Sequence, residues 1–447
     1  MVDEPNDRKT ARAPTGRLER FARLSSAASG VAARLAGQRV IERLLPKEKR
    51  GASRQRALEK SGEQIVRVMG NLKGAAMKVG QMLSIDPEVI PAEIQDALAT
   101  LQREAPAMDY ELVVAQIEAA LDRKIYDVFR FFEPDPIGAA SVGQVHRAET
   151  FDGRVVAVKV QYPGIADTID SDLKNLGSLL SLAGVVAERE RIDAYMAEVR
   201  DVLIEESDYV HEAHNLERYG ELLSRYEGLV VPRPDLERTA RTVLTMDYVE
   251  GVKFDDHLSS LSDVEERNRL AEQLITLMAS MFHDLQIIHA DPHPGNFLVD
   301  PAGRLVLLDF GCVRSFPRAF TDGILDIMSC VWEGDAEGLK ETYRRLDFGR
   351  GDFARYDADA LYELSELVLA PFLNDAPFDF GAWEVQERIR RFMLEHYQLA
   401  SFTPPREALL YLRVLAGLRG LMVRLKVTFN SGRMGREIAH RHGRWEW

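Results

Sequence analysis

The chain has 447 residues, 46% of them hydrophobic, with 57 Lys and Arg against 71 Asp and Glu. That apolar fraction excludes a disordered or collagen-like chain. Two cysteines, Cys312 and Cys330, exclude a disulfide scaffold or a cysteine-based zinc module and fit reduced thiols, while a net charge of −14 excludes a protein that is basic as a whole and wraps nucleic acid.

The charge is unevenly placed. Residues 1–60 form a basic leader with 15 Lys/Arg against 7 Asp/Glu, a net +8 that leaves −22 on the remainder. Charges recur at Arg12, Arg17, Glu19, Arg20 and Arg23, so no apolar core of signal-peptide type is readable. Leu18, Phe21, Leu24, Ala28, Val31 and Leu35 recur at steps of three and four, and Arg17, Arg20, Arg23 and Arg34 lie largely off that stripe. A basic amphipathic helix of this kind can rest on an anionic membrane, with about 1 kcal/mol per basic residue near the surface. The other occupants of the stripe are the protein's own body or a second copy, which would make a homodimer.

Pro46 to Arg56 reads as a charged hinge. Residues 61–127 read as a helical extension broken at Pro87, Pro91 and Pro106, with helices over Gly62–Leu83 and Ala92–Gln102. From about Val128 the texture changes to short β-rich runs: Phe131–Phe132, Val142–Arg147, Arg154–Gln161, Leu229–Val231 and Thr242–Asp247, with a turn at Asp152-Gly153. Helical stretches over Ile165–Val186 and Asp193–Tyr219 interrupt them. After Gly251 the pattern is helical to the end, except for strands near Phe297–Val299 and Leu305–Leu308. The expected architecture is α+β and bilobal: a small β-rich lobe with a helical insert over 128–250, then a large helical lobe over 251–447. The most apolar stretches are Leu176–Ala187, which is short, and Leu409–Leu425, which is cut by Arg413, Arg419 and Arg424. Neither should span a bilayer, so the expected location is cytoplasmic and at most peripheral to a membrane.

Val156-Ala157-Val158-Lys159 ends an apolar strand on a lysine. Downstream, His289-Ala290-Asp291-Pro292-His293-Pro294-Gly295-Asn296 places a carboxylate five residues before a carboxamide, and thirteen residues later comes Asp309-Phe310-Gly311. Phosphoryl transfer needs this set: Asp291 orients the acceptor, while Asn296 and Asp309 hold Mg²⁺ against nucleotide phosphates. A lysine that grips phosphates also needs an acid, and Glu212 lies in the helical segment where that acid belongs. Glu206 and Glu212, six apart, do not share a helical face. Thr245–Gly251 joins the lobes, and extended backbone around Met246 and Tyr248 could bond an adenine edge.

The phosphate-covering loop is unusual. It reads Gly138-Ala139-Ala140-Ser141-Val142-Gly143-Gln144-Val145-His146, with alanine where glycine would let backbone N–H groups approach phosphates. Such a loop should be stiffer. Ala290 replaces the arginine that reads a phosphorylated activation loop, His293 replaces a phosphate-contacting lysine, and no Ala-Pro-Glu follows Gly311. These losses point away from phosphorylating proteins.

With Lys78-Val79-Gly80-Gln81, the alanine-rich loop, Glu206-Ser207-Asp208 with Glu212-Ala213, His289–Asn296 and Asp309–Gly311, the chain resembles the UbiB/ADCK (AarF) family of atypical kinases over residues 78–311. The resemblance implies a protein-kinase-like fold with a helical extension, binding of ATP with Mg²⁺, and a link to isoprenoid-quinone biosynthesis and membrane lipids. It makes Lys159 the phosphate lysine paired with Glu212, Asp291 the catalytic carboxylate, and Asn296 and Asp309 the metal ligands. Ala139, Ala140, Ser141, Val142 and Gly143 would line the nucleotide. Lys78, Gly80 and Gln81 would lie across the active site, Lys78 paired with Glu206 and near Asp208, occluding a protein substrate. The expected activity is that of a kinase-like ATPase acting on, or stimulated by, a lipid, isoprenoid or phenolic compound. The alternatives are a small-molecule kinase of the aminoglycoside/choline type and a nucleotide-switched scaffold with little turnover.

Overall fold

The structure, a computed structural model, describes residues 107–140, 142–182, 189–290, 294–349 and 351–446. The basic leader, the extension through Pro106 with Lys78, Gly80 and Gln81, and the positions Ser141, Asp291 and His293 lie outside the described residues. The described chain divides into two compact units. One runs to His211 and takes in Asp235–Met246, and the other comprises Glu212–Pro234 and everything from Asp247 on.

In the first unit, α1 (Tyr110–Leu121) and α2 (Ile125–Val128) precede strands β1 (Phe131–Phe132), β2 (Gly138–Ala140), β3 (Gly143–Glu149) and β4 (Val155–Gln161). After α3 (Ile165–Leu182) and α4 (Arg189–Glu206), the sheet is completed by β6 (Val243–Asp247), in the order β1-β3-β4-β6 with β2 on β3. Alternation decides which face is buried. Gln144, His146 and Ala148 of β3 lie opposite Val160, Val158 and Val156 of β4, and all six are buried. The other face carries Val145 opposite Lys159 and Gly138. The Asp152-Gly153 turn is present, with Gly153 at φ +83°. Val142, read as the start of a strand, instead sits in the two-residue loop between β2 and β3, because Ala140 pairs with Gly143.

Two polar side chains on the buried face bond one another. Gln144 Oε1 accepts the Met108 N–H at 2.6 Å, which leaves its Nε2 donating to His146 Nε2 at 2.8 Å. His146 Nδ1 donates to the Glu133 carbonyl at 2.9 Å. A carbonyl can only accept and an amide NH₂ can only donate, so His146 is neutral with its proton on Nδ1. Burial pushes its pKa down, and this bonding requires the neutral ring.

The stretch Asp193–Tyr219, read as one helix, is two: α4 ends at Glu206 and α5 spans Tyr209–Leu223. The break has a side-chain cause. Ser207 Oγ donates to the Ile204 carbonyl at 2.7 Å, and the Asp208 carboxylate accepts the Val210 and His211 N–H groups, a cap that starts a new helix.

The second unit is mainly helical. Its four-stranded sheet has the order β5-β10-β9-β7, from β5 (Leu229–Val230), β7 (Val252–Lys253), β9 (Phe297–Val299) and β10 (Leu305–Leu307). A separate pair joins β8 (Ile287–His289) to β11 (Val313–Ser315). Neither strand was expected from sequence, since three residues show no period. After α6 (Phe254–Ser260), helix α7 (Val264–Leu285) buries Leu270, Leu274, Leu277, Met278 and Met281 at helical spacing. Helices α8 (Arg318–Glu333), α9 (Ala336–Arg345), α10 (Ala358–Leu369), α11 (Val385–Glu395), α12 (Arg406–Leu425) and α13 (Ser431–Arg441) follow, with β12 (Phe378–Asp379) pairing β13 (Thr428–Phe429). Leu325 and Met328 of α8 form a core cluster with Met434, Ile438 and Ala439 of α13. Arg419 of α12 donates to the Trp383 carbonyl at 2.8 Å and lies over its ring, so this arginine serves packing within the protein. Among the described residues no helix is long and apolar enough to cross a membrane.

Two predictions follow from the first unit. The folded-state pKa of His146 lies below its unfolded value near 6.5, so its contribution to stability is full above about pH 6.5 and is lost as pH falls. Urea midpoints should therefore decline from pH 7 to 5. His146→Gln can keep both bonds without titrating and should flatten the decline; an unchanged slope would reject the assignment. At Gly143, a Cβ would stand 2.3 Å from the Val160 carbonyl oxygen and 3.0 Å from the Tyr209 hydroxyl. Gly143→Ala should cost about 1–3 kcal/mol by overpacking, whereas Gly138→Ala, with open space around its Cβ, should cost under about 1 kcal/mol in the same denaturation assay.

Candidate active site

In the first unit the candidate phosphate lysine is built on the β2–β3–β4 hairpins. Val145 lies opposite Lys159, so Lys159 shares a face with Val145, Gly138 and Ala140, while Ala139 lies on the other face and is exposed. Lys159 is only 6% exposed, and its ammonium sits 4.9 Å from the centre of the Tyr209 ring. An aromatic face offsets part of the cost of taking an ammonium out of water. Gly143 is needed for close approach to Val160, not for an unusual φ. The Val142 side chain is buried and its carbonyl accepts the Tyr162 N–H at 2.9 Å, so Val142 meets a ligand, if at all, through its peptide N–H. Met246 is buried near the end of β6, whereas Tyr248 is exposed. Around them the Thr245 carbonyl accepts from Asp235 N–H and Asp247 N–H donates to Arg233.

The acidic residues separate by role. Glu206 is buried at the last turn of α4, and Asp208 caps α5. Glu212 is 1% exposed on the face of α5 that also buries Ala213, Leu216 and Tyr219. Glu206 and Glu212 thus belong to different helices, so their spacing of six is not a spacing along one helix.

The candidate metal donors belong to the second unit. Phe297 of β9 pairs with Leu307 of β10, and Leu308 N–H donates to the Asn296 carbonyl at 3.0 Å. Asn296 and Asp309 therefore flank the same open end of one hairpin. The Asp309 carbonyl accepts from His289 Nε2 at 2.6 Å, and its Oδ1 accepts the Gly311 N–H at 2.9 Å. Phe310 is fully buried. Its ring stacks on Tyr219 (6.0 Å, 15°) and meets His289 edge-on (6.0 Å, 75°), and its carbonyl accepts from Asn215 Nδ2 at 3.0 Å. Ala290 N–H donates to the Cys312 carbonyl at 2.9 Å, next to the β8–β11 pairing of His289 with Val313. The chain entering Asp291 is thereby tied to the chain leaving Gly311, although Asp291 itself lies outside the described residues.

A carboxylate and a carboxamide are hard oxygen donors, the set that Mg²⁺ takes alongside phosphate oxygens and water. Among the described residues no group of three or more His, Cys, Asp or Glu could hold a metal ion. Asn296 and Asp309 supply one donor of each kind. Sequence reasoning missed Tyr209, Asn215 and Tyr219. For Asn215 a signal existed: it stands three residues after Glu212, within one turn of the same helix.

The chain matches the ABC1 atypical kinase-like domain over residues 100–343. It is 33% identical over 389 residues to "Atypical kinase coq-8, mitochondrial" of Caenorhabditis elegans, covering 85% of this chain and 51% of that protein, so it spans about half the length of that relative. It is 30% identical to "Probable serine/threonine-protein kinase abkA" of Dictyostelium discoideum, covering 83% of this chain and 69% of the relative. Among solved structures, Rv3197 of Mycobacterium tuberculosis, determined in complex with erythromycin, aligns with a TM-score of 0.58 at 25% identity, covering 88% of this chain and 98% of that one. The motifs, the kinase-like fold and these likenesses place the chain in the ABC1, or UbiB/ADCK, family of atypical kinase-like proteins.

Proposed function

We propose that the chain binds ATP with Mg²⁺ and cleaves its γ-phosphate, in support of isoprenoid-quinone or lipid metabolism and not protein phosphorylation. The observation that carries this reading is the convergence of Asn296 and Asp309 on one hairpin end, with the backbone entering Asp291 bonded to the strand that follows Gly311. Bound Mg²⁺ would neutralise the charge that develops on the transferred phosphoryl group. Asn296 and Asp309 would hold it, Asp291 would orient an acceptor hydroxyl or water, and Lys159 would meet phosphate oxygens. Glu212 would supply the counter-charge a phosphate lysine needs, and burial of both groups supports giving them charged partners.

The hairpin carrying Ala139, Ala140 and Gly143 would cover the nucleotide. Its close packing through Gly143 supports a stiffer cover than a glycine-rich loop provides. Lys78, Gly80 and Gln81, with Glu206 and Asp208, would exclude a protein substrate. The basic leader would bring the enzyme to an anionic membrane surface, where a lipid or phenolic substrate is found.

Asp291→Asn and Asp309→Asn should each lower steady-state phosphate release by about 10²–10⁴-fold with circular dichroism unchanged; wild-type turnover in either purified variant would reject the assignment. Flotation with anionic liposomes should depend on residues 1–60 and not on Asp309. A protein whose flotation responds to ATP while phosphate release stays at background would be the nucleotide-switched scaffold instead.

A further inference from the structure

Building on the Mg²⁺–nucleotide reading of Asp309, we infer that Asn215 is a positioning residue for that metal ligand. The peptide between Phe310 and Gly311 is a rigid plane whose C=O and N–H point in opposite directions. Asn215 Nδ2 donates to the carbonyl of this plane at 3.0 Å. On its other side the N–H donates to Asp309 Oδ1 at 2.9 Å. Asn215 and the Asp309 carboxylate therefore hold opposite edges of one plane, and a rotation that breaks one bond breaks the other.

The surroundings restrict the rest. His289 fixes the Asp309 carbonyl at 2.6 Å, and Tyr219 and His289 hold the Phe310 ring. With these contacts in place, a turn of the Phe310–Gly311 peptide would withdraw the N–H that holds Asp309 Oδ1, and Asn215 opposes that turn. Asn215 lies one turn after Glu212 on α5, so the helix expected to carry the lysine's acid also carries this hold on the metal ligand. Aspartate at position 215 would be isosteric but would present no donor to the carbonyl.

A role limited to stability and a role in positioning differ in what magnesium does. Full-length Asn215→Asp, Asn215→Leu and Asn215→Gln should be compared with wild type and Asp309→Asn by fluorescence titration of a labelled ADP, at graded Mg²⁺ and in EDTA. Melting temperatures and amide hydrogen exchange over residues 305–315 are read on the nucleotide-free proteins. The Asp and Leu variants should raise the Mg²⁺ concentration for half-maximal binding by about 3–10-fold, the loss of one hydrogen bond. They should speed exchange in the 305–315 segment and leave binding in EDTA unchanged. Asn215→Gln keeps a donor and should recover most of the Mg²⁺ response, which separates positioning from poor folding. Unchanged half-saturation in folded variants, or an equal loss in EDTA, overturns the inference while Asp309 keeps its role. Absence of Mg²⁺-dependent nucleotide binding in wild type would overturn the reading of Asp309 and this inference with it.

Discussion

The site depends on how the Asp309-Phe310-Gly311 backbone is held. A carboxylate that is to bind a hard cation must point in one direction before the cation arrives, because ordering it afterwards would subtract from affinity. Here the order comes from the main chain. His289 holds one carbonyl, Asn215 the next, and the Gly311 N–H holds the carboxylate itself. Phe310 contributes by burial: a fully buried ring between Tyr219 and His289 cannot rotate without opening a cavity.

In the first unit the surroundings of Lys159 rest on a different constraint, the closeness of two strands. Val160 approaches Gly143 so nearly that no side chain fits, and Tyr209 fills the space beside both the glycine and Lys159. The loop between β2 and β3 is consequently as short as a hairpin allows, with Val142 drawn into the core. Alanine at 139 and 140 is compatible with this geometry because both are ordinary strand positions, and neither requires a positive φ. The sequence reading attributed stiffness to the alanines themselves. The structure adds a second source, the sterically closed glycine and the buried valine that follow them.

Most of the architecture was legible because its elements are long or strongly alternating. The runs at 155–161 and 243–247 and the period of α7 carry enough residues to declare their type. What escaped were features decided by contacts distant in sequence. β8 and β11 have three residues each and exist because they pair with one another. The break between α4 and α5 was visible in principle, since Ser207-Asp208 is a capping pair, but a continuous helical pattern on both sides hid it. The candidate site residues stand out in the sequence through spacing and resemblance, whereas the residues that touch them do not. Tyr209 carries no pattern of its own and Asn215 only its place one turn after Glu212, and they come to notice through Lys159 and Phe310, which they touch.

The polar chain on the buried face of the first sheet has a consequence for the extension. Met108 is among the first described residues, and its N–H bonds Gln144 in the same strand that begins at Gly143. Gln144 is bonded onward to His146, and His146 to Glu133, each link fixing the proton of the next. Met108, Gln144 and His146 are buried, where an unmade bond costs more than a made one contributes. A displacement of the chain at Met108 must therefore either carry β3 with it or leave a buried amide oxygen unsatisfied. The chain at Met108 and the strand from Gly143 to Glu149, whose other face carries Val145 opposite Lys159, are therefore coupled through the Gln144 side chain.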